Sequence, residues 1–138
     1  MSKTSTLPWI LVVTHGNFGQ ELVKSCEMIV GKMKDVYCFS LIADMAPEQL
    51  YEKIAQTLKD APTGSIILTD IYGGTPSNVS AIFAKKYQYP VISGISLPIL
   101  IEADMSRDEL QGNELSGRIF ETGVQGIKNI TQIVNERG

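Results

Sequence analysis

The chain contains one histidine, His15, and it follows a short apolar run, Trp9–Val13. Asp70 closes a second such run, Ser65–Thr69, and Gly73-Gly74-Thr75-Pro76 comes shortly after. A carboxylate that accepts the Nδ1–H of an imidazole fixes the tautomer, frees the Nε2 lone pair and stabilises positive charge arriving on the ring. Paired glycines let main-chain N–H groups converge on an external oxygen without a Cβ in the way. A helix opening at Thr75-Pro76 adds unpaired N–H groups and the positive end of its dipole. The Thr75 hydroxyl can donate to a phosphate oxygen. Each feature alone has an ordinary reading as a surface histidine, a strand-end carboxylate, or a turn with a helix cap. Together they point to a histidine nucleophile (His15), its orienting carboxylate (Asp70) and a phosphate-sized anion pocket (Gly73, Gly74, Thr75). That set suits phosphoryl acceptance onto imidazole, with the phosphate supplied by a partner.

These residues depend on a frame. Trp9–Val13 is apolar on both faces and too short for a helix, so it reads as a buried strand. Phe18–Met33 has helical spacing, with Leu22, Cys26, Ile29 and Val30 on one face and Gly31 as a stop signal. Val36–Leu41 reads as a second strand. Pro47 opens a helix to Leu58, as suits a residue lacking an N–H. Ser65–Thr69 is the third strand, followed by a helix from Thr75, as N-cap, to about Lys86. Tyr89–Ile95 reads as a fourth strand and Pro98–Met105 as a short helix. Arg107–Gly112 reads as a surface crossing, and Leu115–Asn135 as one long C-terminal helix weakened by Gly117, Gly123 and Gly126. Alternating strands and helices call for an α/β, doubly wound, mainly parallel four-stranded sheet, order 2-1-3-4, with helices on both faces. Ligands of such sheets sit beyond the carboxyl ends of the strands, where strand order reverses. His15 and Asp70 fall just past the two strands that flank that reversal.

Composition narrows the rest. The 138 residues, 43% hydrophobic and 20% charged, fit one domain, residues 1–138, with Met1–Leu7 as a loose leader. Twelve Lys plus Arg against fifteen Asp plus Glu give a net charge of −3, which argues against nucleic acid or anionic lipid as a partner. Two cysteines, Cys26 and Cys38, cannot make a disulfide framework, and with one histidine they do not suit a structural metal site. No apolar run approaches the ~20 residues of a membrane span, and no signal-like segment opens the chain. A cytoplasmic protein with reduced thiols and no metal or other cofactor is expected. The nucleotide-binding patterns G-x-x-x-x-G-K-[ST] and G-x-G-x-x-G and the hydrolase elbow G-x-S-x-G do not occur.

Three motifs stand in order: Thr14-His15-Gly16; Leu68-Thr69-Asp70 with Gly73-Gly74-Thr75-Pro76 and Asn78; and Ser93-Gly94-Ile95-Ser96-Leu97-Pro98-Ile99-Leu100. Together, from about Trp9 to Ile130, they resemble the IIA component of the mannose-type (mannose/fructose/sorbose) sugar phosphotransferase system. Ser96 and Ile99 replace the usual Asn and Met of the third motif. The resemblance implies a cytoplasmic phosphotransferase working through a phosphohistidine. His15 would accept phosphate from the phosphocarrier protein HPr and pass it to a IIB component, which serves membrane IIC and IID partners in sugar uptake. It gives Asp70 as hydrogen-bond partner of His15, and Gly74 and Thr75 as phosphate-holding residues. It also implies a homodimer with a swapped antiparallel fifth strand, placed here between Arg107 and Arg118. Phe18, Ile71 and Tyr72 read as either a partner-docking rim or local packing. No Lys or Arg lies in the three motifs, as suits a carrier that must release its phosphate. Two other readings are a phosphocarrier for a dihydroxyacetone kinase or a regulator, and a non-catalytic anion-binding module. Neighbouring genes would separate the first, and acid-labile, base-stable phosphate on the protein the second.

Overall fold

The structure, a computed structural model, describes residues 7–137. The expected leader therefore lies outside the described residues apart from Leu7. The strands are β1 (Ile10–His15), β2 (Val36–Leu41), β3 (Ile66–Thr69) and β4 (Val91–Ile92). The helices are α1 (Phe18–Val30), α2 (Pro47–Leu58), α3 (Thr75–Tyr87), α4 (Leu97–Ser106), α5 (Gly112–Gln125) and α6 (Ile130–Arg137). All strand pairs are parallel, as the alternation of elements requires, and the order is the expected β2-β1-β3-β4.

Alternation along β1 divides the core in two. Ile10 and Val12 pack with Ile66 and Leu68 against α1, α4 and α5, through Cys26, Leu100, Leu115 and Ile119. Leu11 and Val13 pack with Ile67 against α2 and α3, through Leu50, Ile54, Val79 and Phe83. Residues Ile10–Val13 are fully buried. Side chains that alternate between two covered faces explain why the strand is apolar throughout. Burying each one stabilises the fold by roughly 1.5–3 kcal/mol. The rigid centre of the sheet thus carries His15 at its tip.

Several boundaries differ from the sequence reading. β1 runs two residues past the expected Val13, so that His15 is its last residue rather than lying beyond it. The first helix ends at Val30, where Gly31 takes φ +88°. Gly74, in extended backbone, is the N-cap of α3, so Thr75 and Pro76 are its first two residues. The fourth strand shrinks to two residues. Beyond it, Gly94 and Ile95 still donate to the carbonyls of Asp70 and Thr69, at 2.7 and 3.0 Å.

The long C-terminal helix is two helices. A Cβ on Gly123 would lie 2.7 Å from Ile99, and one on Gly126 would lie 3.0 Å from Pro98. These glycines let α5 rest directly on the start of α4, and α5 stops at Gly126. The segment expected to hold a swapped strand, Arg107–Arg118, holds the α4–α5 turn and half of α5 instead.

The surface crossing at Arg107 is also corrected, because that side chain is 3% exposed. Its guanidinium donates to the carbonyls of Pro8 at 3.1 Å, Asp35 at 3.4 Å and Lys34, and pairs with Asp104 at 3.0 Å. A planar group with five donors can be buried when it meets these four acceptors.

Candidate active site

β1 delivers His15 and the end of β3 delivers Asp70, side by side at the point where strand order reverses. Asp70 Oδ2 lies 2.9 Å from His15 Nδ1 and also accepts the His15 backbone N–H at 2.8 Å. Oδ1 accepts the N–H of Ile71 at 2.8 Å. Burial by itself raises the carboxyl pKa of Asp70. The hydrogen bonds from His15 backbone, His15 ring and Ile71, with the charge of a protonated imidazole, outweigh burial and hold it below the usual range. An ionised carboxylate only accepts, so Nδ1 must carry the proton and Nε2 presents its lone pair. The imidazole is 51% exposed and the carboxylate 12%, so the ring faces solvent while its support does not.

The turn after β1 holds the ring's backbone in place. Gly16 takes φ +53°, a conformation that suits glycine, and donates to the Leu41 carbonyl at 2.8 Å. The third motif meets the site through main chain, by the Gly94 N–H on the Asp70 carbonyl. Its two departures belong to α4 and its N-cap. Ser96 caps α4 by accepting from Ile99 N–H at 3.4 Å, and Ile99 is buried.

Gly74 lies against the ring. A Cβ there would be 2.9 Å from His15 Cε1 and 3.5 Å from Nε2. The N-terminus of α3 therefore stands at the reactive edge of the imidazole. Gly73, at φ +91°, shapes the turn and comes less near, since a Cβ on it would meet nothing within 4 Å. In this state the N–H of Gly73 points to Ser77 Oγ and that of Gly74 to the Ile71 carbonyl, both at 3.4 Å. Such long bonds are weak and easily exchanged for an anion. Thr75 begins α3, where the first N–H groups have no intrahelical acceptor. The structure thus brings His15, Asp70 and Gly74 into contact, with Gly73 and Thr75 flanking them in sequence.

Close in sequence to His15 and Asp70 are exposed apolar side chains: Phe18, Ile71 and Tyr72, the last 85% exposed. That exposure favours a rim over local packing. Ile42, exposed just past the Leu41 that pairs with His15, was not singled out in the sequence. No group of three or more His, Cys, Asp or Glu suited to a metal occurs among the described residues. Among them, no helix is long and apolar enough to cross a membrane.

Known proteins resemble this chain in sequence and in fold. The family described as the PTS system fructose IIA component matches residues 9–120. The PTS system mannose-specific EIIAB component of Escherichia coli (strain K12) is 37% identical over 123 residues, covering 86% of this chain and 38% of that protein. The chain thus spans well under half the length of that relative. The PTS system fructose-specific EIIA component of Bacillus subtilis (strain 168) is 33% identical, over 77% of this chain and 75% of its own. A crystal structure of phosphotransferase system component EIIA from Streptococcus agalactiae superposes with a TM-score of 0.80 at 29% identity, covering 90% of this chain and 98% of that one.

Proposed function

The chain belongs to the mannose/fructose/sorbose-type IIA family of the sugar phosphotransferase system, and on that premise we propose that it is a phosphocarrier that takes phosphate on His15 Nε2. The donor is HPr and the acceptor a IIB component that feeds IIC and IID membrane partners. The work takes place in the cytoplasm. The observation that carries this reading is the contact of His15 Nδ1 with Asp70 Oδ2, with Gly74 against the Cε1–Nε2 side of the ring.

The step is an in-line displacement. The Nε2 lone pair forms a bond to phosphorus while the donor's N–P bond breaks, and the donor imidazole keeps that electron pair. Nδ1–H stays in place, and Asp70 stabilises the positive charge on the phosphorylated ring. Main-chain N–H groups of Gly73, Gly74 and Thr75, at the positive end of α3, receive the equatorial oxygens. Positioning and fixed dipoles do the work, with no Lys or Arg from the three motifs to hold the phosphate back.

Phe18, Ile42, Ile71 and Tyr72 form the rim that partners meet. Two copies assemble as a homodimer. The exposed apolar side chains Phe120 and Val124 of α5, Ile127 of the connection and Ile130 at the start of α6 support that assembly.

The experiment is incubation with HPr, enzyme I and phosphoenolpyruvate, followed by mass spectrometry of the intact protein. One acid-labile, base-stable phosphoryl group is expected, and none on His15→Ala. Normal incorporation in that variant rejects the assignment.

A further inference from the structure

Helix α1 starts without a cap of its own. Asn17 occupies the N-cap with φ −91° and ψ 11°, and its side chain makes no capping hydrogen bond. The first N–H groups of a helix have no acceptor within it, and Gly19, the second residue of α1, is buried. Its N–H donates instead to Thr14 Oγ1, at 2.9 Å. Thr14 belongs to β1 and is 1% exposed. The residue directly before His15 therefore caps the helix that directly follows the His15 turn.

The fit is close. A Cβ on Gly19 would lie 2.9 Å from Val12 Cγ1, 3.1 Å from Thr14 Oγ1 and 3.3 Å from Thr14 Cγ2. Only glycine lets α1 approach β1 this nearly. The buried Thr14–Gly19 bond closes the turn, and the His15 and Gly16 N–H groups pin it to Asp70 Oδ2 and the Leu41 carbonyl.

We propose that Thr14 is a positioning residue for His15, its hydroxyl fixing the turn so that the ring meets Asp70 through Nδ1 and Gly74 along its Cε1–Nε2 side. The inference rests on the reading of His15 as phosphoryl acceptor. Thr14 touches no reacting atom and acts through the backbone it holds. Thr14→Val keeps the side-chain shape and removes the acceptor, leaving a buried N–H without a partner. Thr14→Ser keeps the acceptor and gives up only the methyl group.

The test compares the unaltered chain, Thr14→Val and Thr14→Ser by two readouts. One is the tautomer of the His15 ring, read by nitrogen NMR of the unphosphorylated protein. The other is the rate of phosphate uptake from phosphorylated HPr. Thr14→Val is expected to mix the tautomers and slow uptake roughly tenfold or more, since small misplacements of a reacting group are costly. Thr14→Ser is expected to restore both. A folded Thr14→Val with an unchanged tautomer and full rate overturns the proposal. So does a loss of thermal stability with no change at the ring. If Thr14→Val does not fold, Gly19→Ala, which crowds Thr14 out of its seat, is read in the same two ways. Failure of the unaltered chain to take phosphate would reject the function, whereas the ring readout judges the Thr14 clasp independently.

Discussion

A single oxygen of Asp70, Oδ2, holds His15 twice: by its backbone N–H at 2.8 Å and by its ring Nδ1 at 2.9 Å. The residue's main chain and side chain are therefore fixed by the same atom, and the ring's direction is coupled to the turn that carries it. The second oxygen is occupied by Ile71 N–H, which prevents the carboxylate from rotating away.

Asp70→Asn replaces one of these oxygens with a donor, so the two bonds to His15 and the one from Ile71 cannot all survive. Phosphate transfer should fall by ~10²-fold, corresponding to ~2.7 kcal/mol of lost orientation and charge stabilisation. Rapid-quench measurement of transfer from phosphorylated HPr is the check. An unchanged rate removes Asp70 from the mechanism.

Gly74→Ala should separate activity from stability. Gly74 has φ −84° and ψ 174°, which any residue adopts, so the backbone carries no strain. The new Cβ would meet His15 Cε1 at 2.9 Å, and the exposed ring can yield by swinging away. Thermal melting should change little while phosphorylation drops by about two orders of magnitude. Gly73→Ala should lower stability as well. Its φ of +91° penalises a side chain by about 1–2 kcal/mol, and nothing near it is struck. A Gly74→Ala variant with full activity would remove the ring's steric seat.

The acid limb of stability should carry the Asp70 signature. Its carboxyl pKa is lowered in the folded state, so the unfolded chain takes up the proton first as pH falls. The contribution is complete above the unfolded carboxyl pKa, about 3.9, and is lost as pH drops through the lower folded value. Urea denaturation of the unaltered chain and Asp70→Asn should show a gap at neutral pH that closes in acid. A gap equally wide at both ends of that range contradicts the assignment.

Arg107→Met should destabilise the fold without touching the site. It leaves the carbonyls of Pro8, Lys34 and Asp35 short of a donor and Asp104 without its cation. Removing one partner of a buried, paired charge costs about 3 kcal/mol. The urea midpoint should fall while the transfer rate of the folded fraction holds. An unmoved midpoint would mean that the burial of this guanidinium contributes nothing.

The wall-to-wall apolar character of Ile10–Val13 and Ile66–Leu68 was readable because a strand covered on both faces can contain little else. Pro47, Pro76 and Pro98 marked helix starts because proline is tolerated there and seldom inside. His15, Asp70 and the two glycines were readable by elimination: strand tips are among the few places where a parallel sheet presents polar groups to a ligand. What lies between residues distant in sequence was not readable. Arg107 is charged and sits among polar neighbours, so it looked like surface; only the convergence of three carbonyls from the far ends of β1 and β2 makes its burial affordable. The break between α5 and α6 depends on Gly123 and Gly126 meeting Ile99 and Pro98, a contact that helical periodicity does not encode. Sequence alone thus determined that four apolar segments form strands, that prolines open three of the helices and which groups could do chemistry, because those follow from local sterics and patterning. The tertiary structure decided that one oxygen of Asp70 serves both ends of His15, that Gly74 abuts the ring and that Thr14 caps α1, because each depends on distances set by packing across the sheet.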